Sequence, residues 1–110
     1  MRIELNEKQR ETLLKEFGFI DHGVNYYKEL TVFDIFIPLD EMYMRVLPTY
    51  DVDTEYGVTL DYKDEKLNLG MSSQKFDNID DYKTFCGMID YLKDDYKVLE
   101  KIFKIINENK

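Results

Sequence analysis

The residues best placed to do chemistry in this chain are carboxylates. Asp51-Val52-Asp53-Thr54-Glu55-Tyr56-Gly57 opens in the manner of a calcium loop, with acids at alternate positions. An EF-hand loop needs glycine at its sixth position for the sharp turn and a bidentate glutamate at its twelfth. Tyr56 and Tyr62 stand there instead, and the stretch runs on into an alternating, strand-like segment. It is expected to be a solvated acidic loop. His22, the only histidine, lies in Asp-His-Gly, a surface-turn context without a Ser or Cys nucleophile in any recognisable motif. Cys86, the only cysteine, falls beside an apolar helical stripe and is expected to be a buried, inert thiol. A lone cysteine supports neither an internal disulfide nor a thiolate zinc site. With no phosphate-cradling glycine pattern and no nucleotide fingerprint either, no catalytic residue, metal or cofactor is expected.

The acids have a second possible use, as a surface. Asp51, Asp53, Glu55, Asp61, Asp64 and Glu65, followed by Asp77, Asp80 and Asp81, are interleaved with Tyr50, Tyr56, Tyr62 and Tyr82. Tyrosine supplies rigid contact area at low entropic cost, and carboxylates steer a basic partner. Acids outnumber bases 23 to 15, a net charge of −8. Such a field repels nucleic-acid phosphates and anionic membranes, so a partner held by charge is expected to be a basic protein. A second candidate patch is Tyr27, Phe36, Tyr43 and Arg45, provided all four lie on the uncovered face of a sheet.

These residues need a scaffold, and 110 residues suit one compact domain spanning 1–110. Asn6, with Gln9 three residues on, forms a capping-box signature, Leu13, Leu14 and Phe17 make an apolar stripe, and Gly18 is a natural stop. A first helix is expected over about 7–17. From Val24 to Met71 the period changes to two. Val24–Leu30 and Phe33, Ile35, Ile37 read as strand, with a slip of phase at Thr31 that implies a tight turn or a bulge. Pro38–Glu41 is a turn before Met42–Leu47, which Pro48 ends. Val58, Leu60 and Tyr62, then Leu67, Leu69 and Met71, give a hairpin pattern around Lys63–Lys66. Four or five antiparallel strands are expected, with one face covered by helix.

The C-terminal segment carries the strongest periodicity. Tyr82, Ile89, Tyr96 and Phe103 are spaced by sevens, as are Phe85, Leu92, Leu99 and Ile106 three residues behind. With Asp77 as N-cap and Asp80 and Asp81 favouring the helix dipole, one amphipathic helix is expected from Asp77 to Asn107. Its weak points are Gly87 and Asp94-Asp95, but the heptad phase runs through both. At 1.5 Å per residue it would be roughly 46 Å long, and it would overhang a compact domain about 34 Å across. The overhanging residues Tyr96, Leu99, Phe103 and Ile106 then need cover from the first helix or from a second copy, which makes a homodimer through this helix one expectation.

The fold class expected is therefore α+β: an N-terminal helix, a four- to five-stranded antiparallel sheet, and a long C-terminal amphipathic helix packed on one sheet face. The N-terminal Met-Arg-Ile-Glu-Leu-Asn-Glu-Lys is too charged for a secretory signal, and no apolar run approaches the ~20 residues of a membrane helix. A cytoplasmic protein is expected. The short acidic chain, rich in Tyr, Lys, Asp and Asn, is similar in composition to many small phage-encoded and mobile-element proteins, which would place it in a bacterial host cytoplasm. The function expected is a small acidic protein-binding module. It would inhibit a basic nucleic-acid-handling protein, as an anti-defence or anti-CRISPR-like factor does, by imitating DNA phosphates. An immunity protein or antitoxin, or an assembly protein oligomerising through the C-terminal helix, are the alternatives.

Overall fold

The structure, a computed structural model, describes residues 1–72 and 76–110. A short strand β1 (Arg2–Glu4) leads into helix α1 (Glu7–Glu16), followed by β2 (Ile20–Asp21), β3 (Asn25–Glu29), β4 (Phe33–Pro38) and β5 (Tyr43–Pro48). A short helix α2 (Tyr50–Tyr56), a hairpin β6 (Thr59–Lys63) and β7 (Lys66–Gly70), and helix α3 (Ile79–Glu108) complete the chain. The class is α+β, with the N-terminal helix, five-stranded antiparallel sheet and long C-terminal helix the residue pattern calls for.

The membership of the sheet differs from the expectation. The sheet runs β1-β5-β4-β3-β2, while β6 and β7 form a separate two-stranded sheet. The three residues of β1 and the two-residue β2 complete the sheet at its edges; both are too short to show a period of two. The phase slip at Thr31 is a turn, closed by Leu30 N–H donating to the Phe33 carbonyl at 2.9 Å. The acidic stretch is also not a loop. Tyr50–Tyr56 is helical, Asp51 and Asp53 lie in its first turn, where they favour the dipole, and Gly57 ends it in the left-handed region at φ 56°. A side chain there would also collide with Ser72, whose Cβ lies 3.0 Å from where a Cβ on Gly57 would be.

Helix α3 runs unbroken through Gly87 and Asp94-Asp95, and Asn78, one residue later than expected, caps it by accepting the Asp81 N–H at 2.9 Å. Its buried positions are Met88, Leu92, Asp95, Leu99, Ile102, Phe103 and Ile106. The row Leu92, Leu99, Ile106 is the one the heptads indicate. The second buried row is Met88, Asp95, Ile102, while of the expected row Tyr82, Ile89, Tyr96, Phe103 only Phe103 is buried, so the helix is turned about its axis. The reason is that it serves two layers. On one flank Tyr96 donates its hydroxyl to the Leu67 carbonyl at 2.8 Å and Phe103 stacks on Tyr62 at 4.3 Å, both against the hairpin. Leu99, Phe103 and Ile106 are buried and Tyr96 half-buried within their own chain, so the surface expected for self-association is core. Nor does the helix overhang a compact globule: the molecule is itself elongated, 49 × 32 × 18 Å.

Three polar ties place α3 against the rest. The Asp95 carboxylate, 3% exposed, accepts the N–H groups of Thr31, Val32 and Phe33 at 3.1, 2.7 and 3.1 Å, all from the turn between β3 and β4. At the helix C-terminus, Gln9 Nε2 donates to the Ile106 carbonyl and Asn6 Nδ2 to the Asn109 carbonyl, each at 2.8 Å. The same two residues cap α1 reciprocally, Gln9 Oε1 accepting the Asn6 N–H at 2.7 Å and Asn6 Oδ1 the Gln9 N–H at 2.8 Å. One capping box thus satisfies groups at the start of α1 and the end of α3.

Two measurements test this account. Asp95→Ala orphans buried N–H groups in the turn and is expected to cost about 3 kcal/mol in urea unfolding, with Asp95→Asn costing less because one oxygen still accepts. The hairpin turn holds Asp64 and Glu65 at φ 54° and 62°, a conformation that non-glycine residues adopt at a cost. Replacing Asp64-Glu65 by Asn-Gly, the pair such a turn prefers, is expected to raise the unfolding free energy by about 1 kcal/mol. An unchanged or lower urea midpoint would contradict it.

Candidate functional site

The acids do not form one band. Asp51, Asp53 and Glu55 are exposed on α2, and Asp77, Asp80 and Asp81 are exposed at the start of α3. The Tyr56 ring lies 5.9 Å from Phe85, and burial first, then the charges of Glu55 and Asp81, push its phenol pKa up. These six acids therefore share one end of the molecule. Asp64 and Glu65 lie at the other. Glu65 pairs with Lys110, just beyond the helix C-terminus, so the thirty residues of α3, about 45 Å, separate the two groups. Asp61, exposed on β6, faces away from the side of the hairpin that carries Tyr62 to Phe103.

The aromatic residues at the acidic end are in part anchored and in part presented. Phe76 packs on Phe85 at 5.1 Å and edge-on to Tyr82 at 5.6 Å, making a cluster with Tyr56 between the two helices. Around it stand exposed apolar residues: Tyr50 at 81%, Ile79 at 63%, Tyr82 at 48% and Phe76 at 39%. Phe76 and Ile79 escape a reading by charge because each is a single apolar residue in a polar stretch. The signal for both is adjacency to the capping residues. Cys86 is exposed here too, not buried, because the helix is turned toward Met88; its hydrogen bond with Tyr82 raises that phenol's pKa.

The second patch is a cross-strand row. Strand register puts Ile20 opposite Tyr27, Tyr27 opposite Phe36, Phe36 opposite Arg45 and Arg45 opposite Arg2, so these side chains share the sheet face away from the core. Tyr43 is on the same face, with the Arg2 guanidinium 3.8 Å over its ring. Phe36, Tyr43 and Arg45 line a shallow concavity of about 470 Å³. Tyr27 rests on Phe36 at 5.2 Å and under His22 at 5.0 Å, and donates its hydroxyl to Asp34 at 2.7 Å. Charge on this face is mixed, since Arg2 pairs with Glu4 at 2.9 Å and Asp34 is engaged by Tyr27. Among the described residues no three His, Cys, Asp or Glu side chains converge as a metal requires, and no helix is long and apolar enough to cross a membrane.

The Asp34 hydrogen bond, with burial and the charges of Asp34 and Glu29, pushes the Tyr27 pKa up to about 12. The neutral phenol is favoured in the folded state. Its stabilising contribution is complete below the ordinary value of 10 and is lost as pH rises through about 12. In an alkaline ultraviolet titration of the nine tyrosines, the latest step is expected to be Tyr27, absent in Tyr27→Phe and earlier in Asp34→Asn.

Comparison of the chain with protein-family profiles, with curated proteins and with solved structures returns no match.

Proposed function

We propose that the chain is a small acidic binding module that acts in the cytoplasm on a basic protein, through the end of the molecule built by α2 and the first turns of α3. The observation that carries this reading is the coincidence at that end of six exposed acids with four exposed apolar side chains, Tyr50, Phe76, Ile79 and Tyr82. Interfaces with protein partners place aromatic anchors inside a charged rim. The anchors supply most of the affinity, and the rim steers encounter and selects the sign of the partner. An acidic rim selects a basic partner. Proteins that handle nucleic acids carry a preformed basic site for phosphates, which supports inhibition of such a protein by occupying its phosphate-binding surface. The acids here cover one end and not the length of the molecule, which favours a compact plug in such a site over imitation of an extended duplex.

Affinity capture tests the reading. Wild-type protein and the triple variant Asp51→Asn, Asp53→Asn, Glu55→Gln are immobilised and exposed to lysate of the organism that encodes the chain. The wild type is expected to retain a basic protein, to lose it as salt rises from about 50 to 300 mM, and to release it to added duplex DNA. The variant is expected to retain clearly less of it, with a weaker dependence on salt. Retention that is indifferent to salt, to DNA and to the substitutions would overturn the proposal.

A further inference from the structure

Among the described residues, no strand pairs with the outer edge of β7 in the hairpin of β6 and β7. Its two-residue turn makes Lys63–Lys66, Asp61–Asn68 and Thr59–Gly70 the hydrogen-bonded pairs, so the backbone groups of Leu67 and Leu69 point outward from β7. The Leu67 carbonyl is taken by the Tyr96 hydroxyl. Among the described residues the Leu67 N–H, the Leu69 N–H and the Leu69 carbonyl remain, at the spacing a further strand uses. Along this edge lies a groove of about 720 Å³, with Leu67, Leu69 and Met71 on the strand side and Ile89, Leu92 and Tyr96 on the helix side. All six are buried or half-buried. An apolar trough between a strand edge and a helix is the arrangement that receives a peptide by strand addition, with backbone bonds for affinity and pockets for alternate side chains.

Charge then selects the occupant. In a chain of net charge −8, the helix side of this groove carries Lys93 and Lys97, both exposed, with Glu100 as the only acid on its lining. Neither lysine is engaged in a salt bridge among the described residues. We propose that β7 and α3 form a docking groove for an extended acidic peptide, about five residues long, whose alternate, groove-facing side chains are apolar toward Ile89 and Leu92 and carboxylate toward Lys93 and Lys97. The peptide pairs with the Leu67–Leu69 edge, buries apolar side chains against Ile89 and Leu92, and turns a carboxylate of the same groove-facing row toward Lys93 and Lys97. This surface is separate from the acidic end and has the opposite preference, so the chain would join a basic protein to an acidic segment.

The test uses the full chain and a set of capped pentapeptides with Val, Leu, Ile or Phe at two of the three alternate positions and Glu at the third. Backbone amide shifts are followed by NMR, and affinity by fluorescence anisotropy. Shifts at Leu67, Leu69 and Tyr96 are expected, with weak affinity typical of short peptides. Lys93→Glu with Lys97→Glu, both on the exposed helix surface, is expected to weaken Glu peptides roughly tenfold and to favour the Lys-containing set. N-methylation of the peptide at the pairing positions is expected to abolish binding. No shift on β7 with any peptide, equal binding of N-methylated peptides, or shifts produced by sodium decanoate but not by peptides would each overturn the proposal. So would β7 shifts that track protein concentration alone alongside a dimer in light scattering, which would show that a second copy takes the edge.

Discussion

The Asp95 carboxylate holds three backbone N–H groups of one turn, and the arrangement of every layer follows from that contact. A carboxylate withdrawn from water is stable only where hydrogen bonds replace hydration. The turn between β3 and β4 supplies them, and itself needs an acceptor for N–H groups that no strand pairs. The two requirements meet at one place along a thirty-residue helix. An apolar stripe of heptad spacing would tolerate a slide by seven residues, because Leu meets Leu again. A buried acid does not repeat. It sets the register of α3 against the sheet, as a single polar core residue sets register in a coiled coil. Gln9 and Asn6 then fix the C-terminal end of the same helix to α1.

With α3 indexed in this way, its two flanks are committed. The sheet and α1 take one, and the hairpin takes the other through Tyr96 and Phe103. This explains a helix that is apolar over a wide arc in a chain of only 110 residues. It also explains why the charges sort as they do. The row of carboxylates expected from the order of residues is divided between the two ends of a long helix, while the lysines of its middle turns stand over the hairpin groove. The molecule is strongly acidic in sum and locally basic in one trough.

Much of the architecture was legible in the residue pattern, and the failures are physical ones. The capping box of α1, the strand Phe33, Ile35, Ile37, the hairpin around Lys63–Lys66 and the continuity of α3 all rest on local signals, and each stands in the structure. The rotation of α3 was not legible, because a buried Asp95 contradicts the rule that acids face water until its three donors, more than sixty residues away, are known. The helix at Tyr50–Tyr56 was hidden by its composition. Asp and Thr favour loops, and here tertiary support with dipole-favouring acids overrides that preference. Of the candidate surfaces, the cross-strand row of Tyr27, Phe36 and Arg45 could be listed from alternation alone, since a single face follows from a period of two. The hairpin groove could not, since it lies between elements that only the tertiary fold brings together.

Phe85 is the only half-buried residue in the first nine positions of α3, and burial begins in earnest at Met88. The helix is therefore uneven along its length. Its last five turns share the stability of the core, while its first turns are held by the ring cluster of Tyr56, Phe76, Tyr82 and Phe85 and by one cap. Segments with so little buried area open at a small fraction of the global unfolding free energy. The acids Asp80 and Asp81 ride on that segment, where they favour the helix dipole while standing with Asp51, Asp53 and Glu55 as a like-charged group whose repulsion a bound basic surface would relieve. Ordering and occupancy are thus linked at this end. A basic surface that binds the wound form would spend part of its binding energy on ordering the first turns of α3, and the hydrogen exchange of residues 79–87 would report on it from inside the molecule.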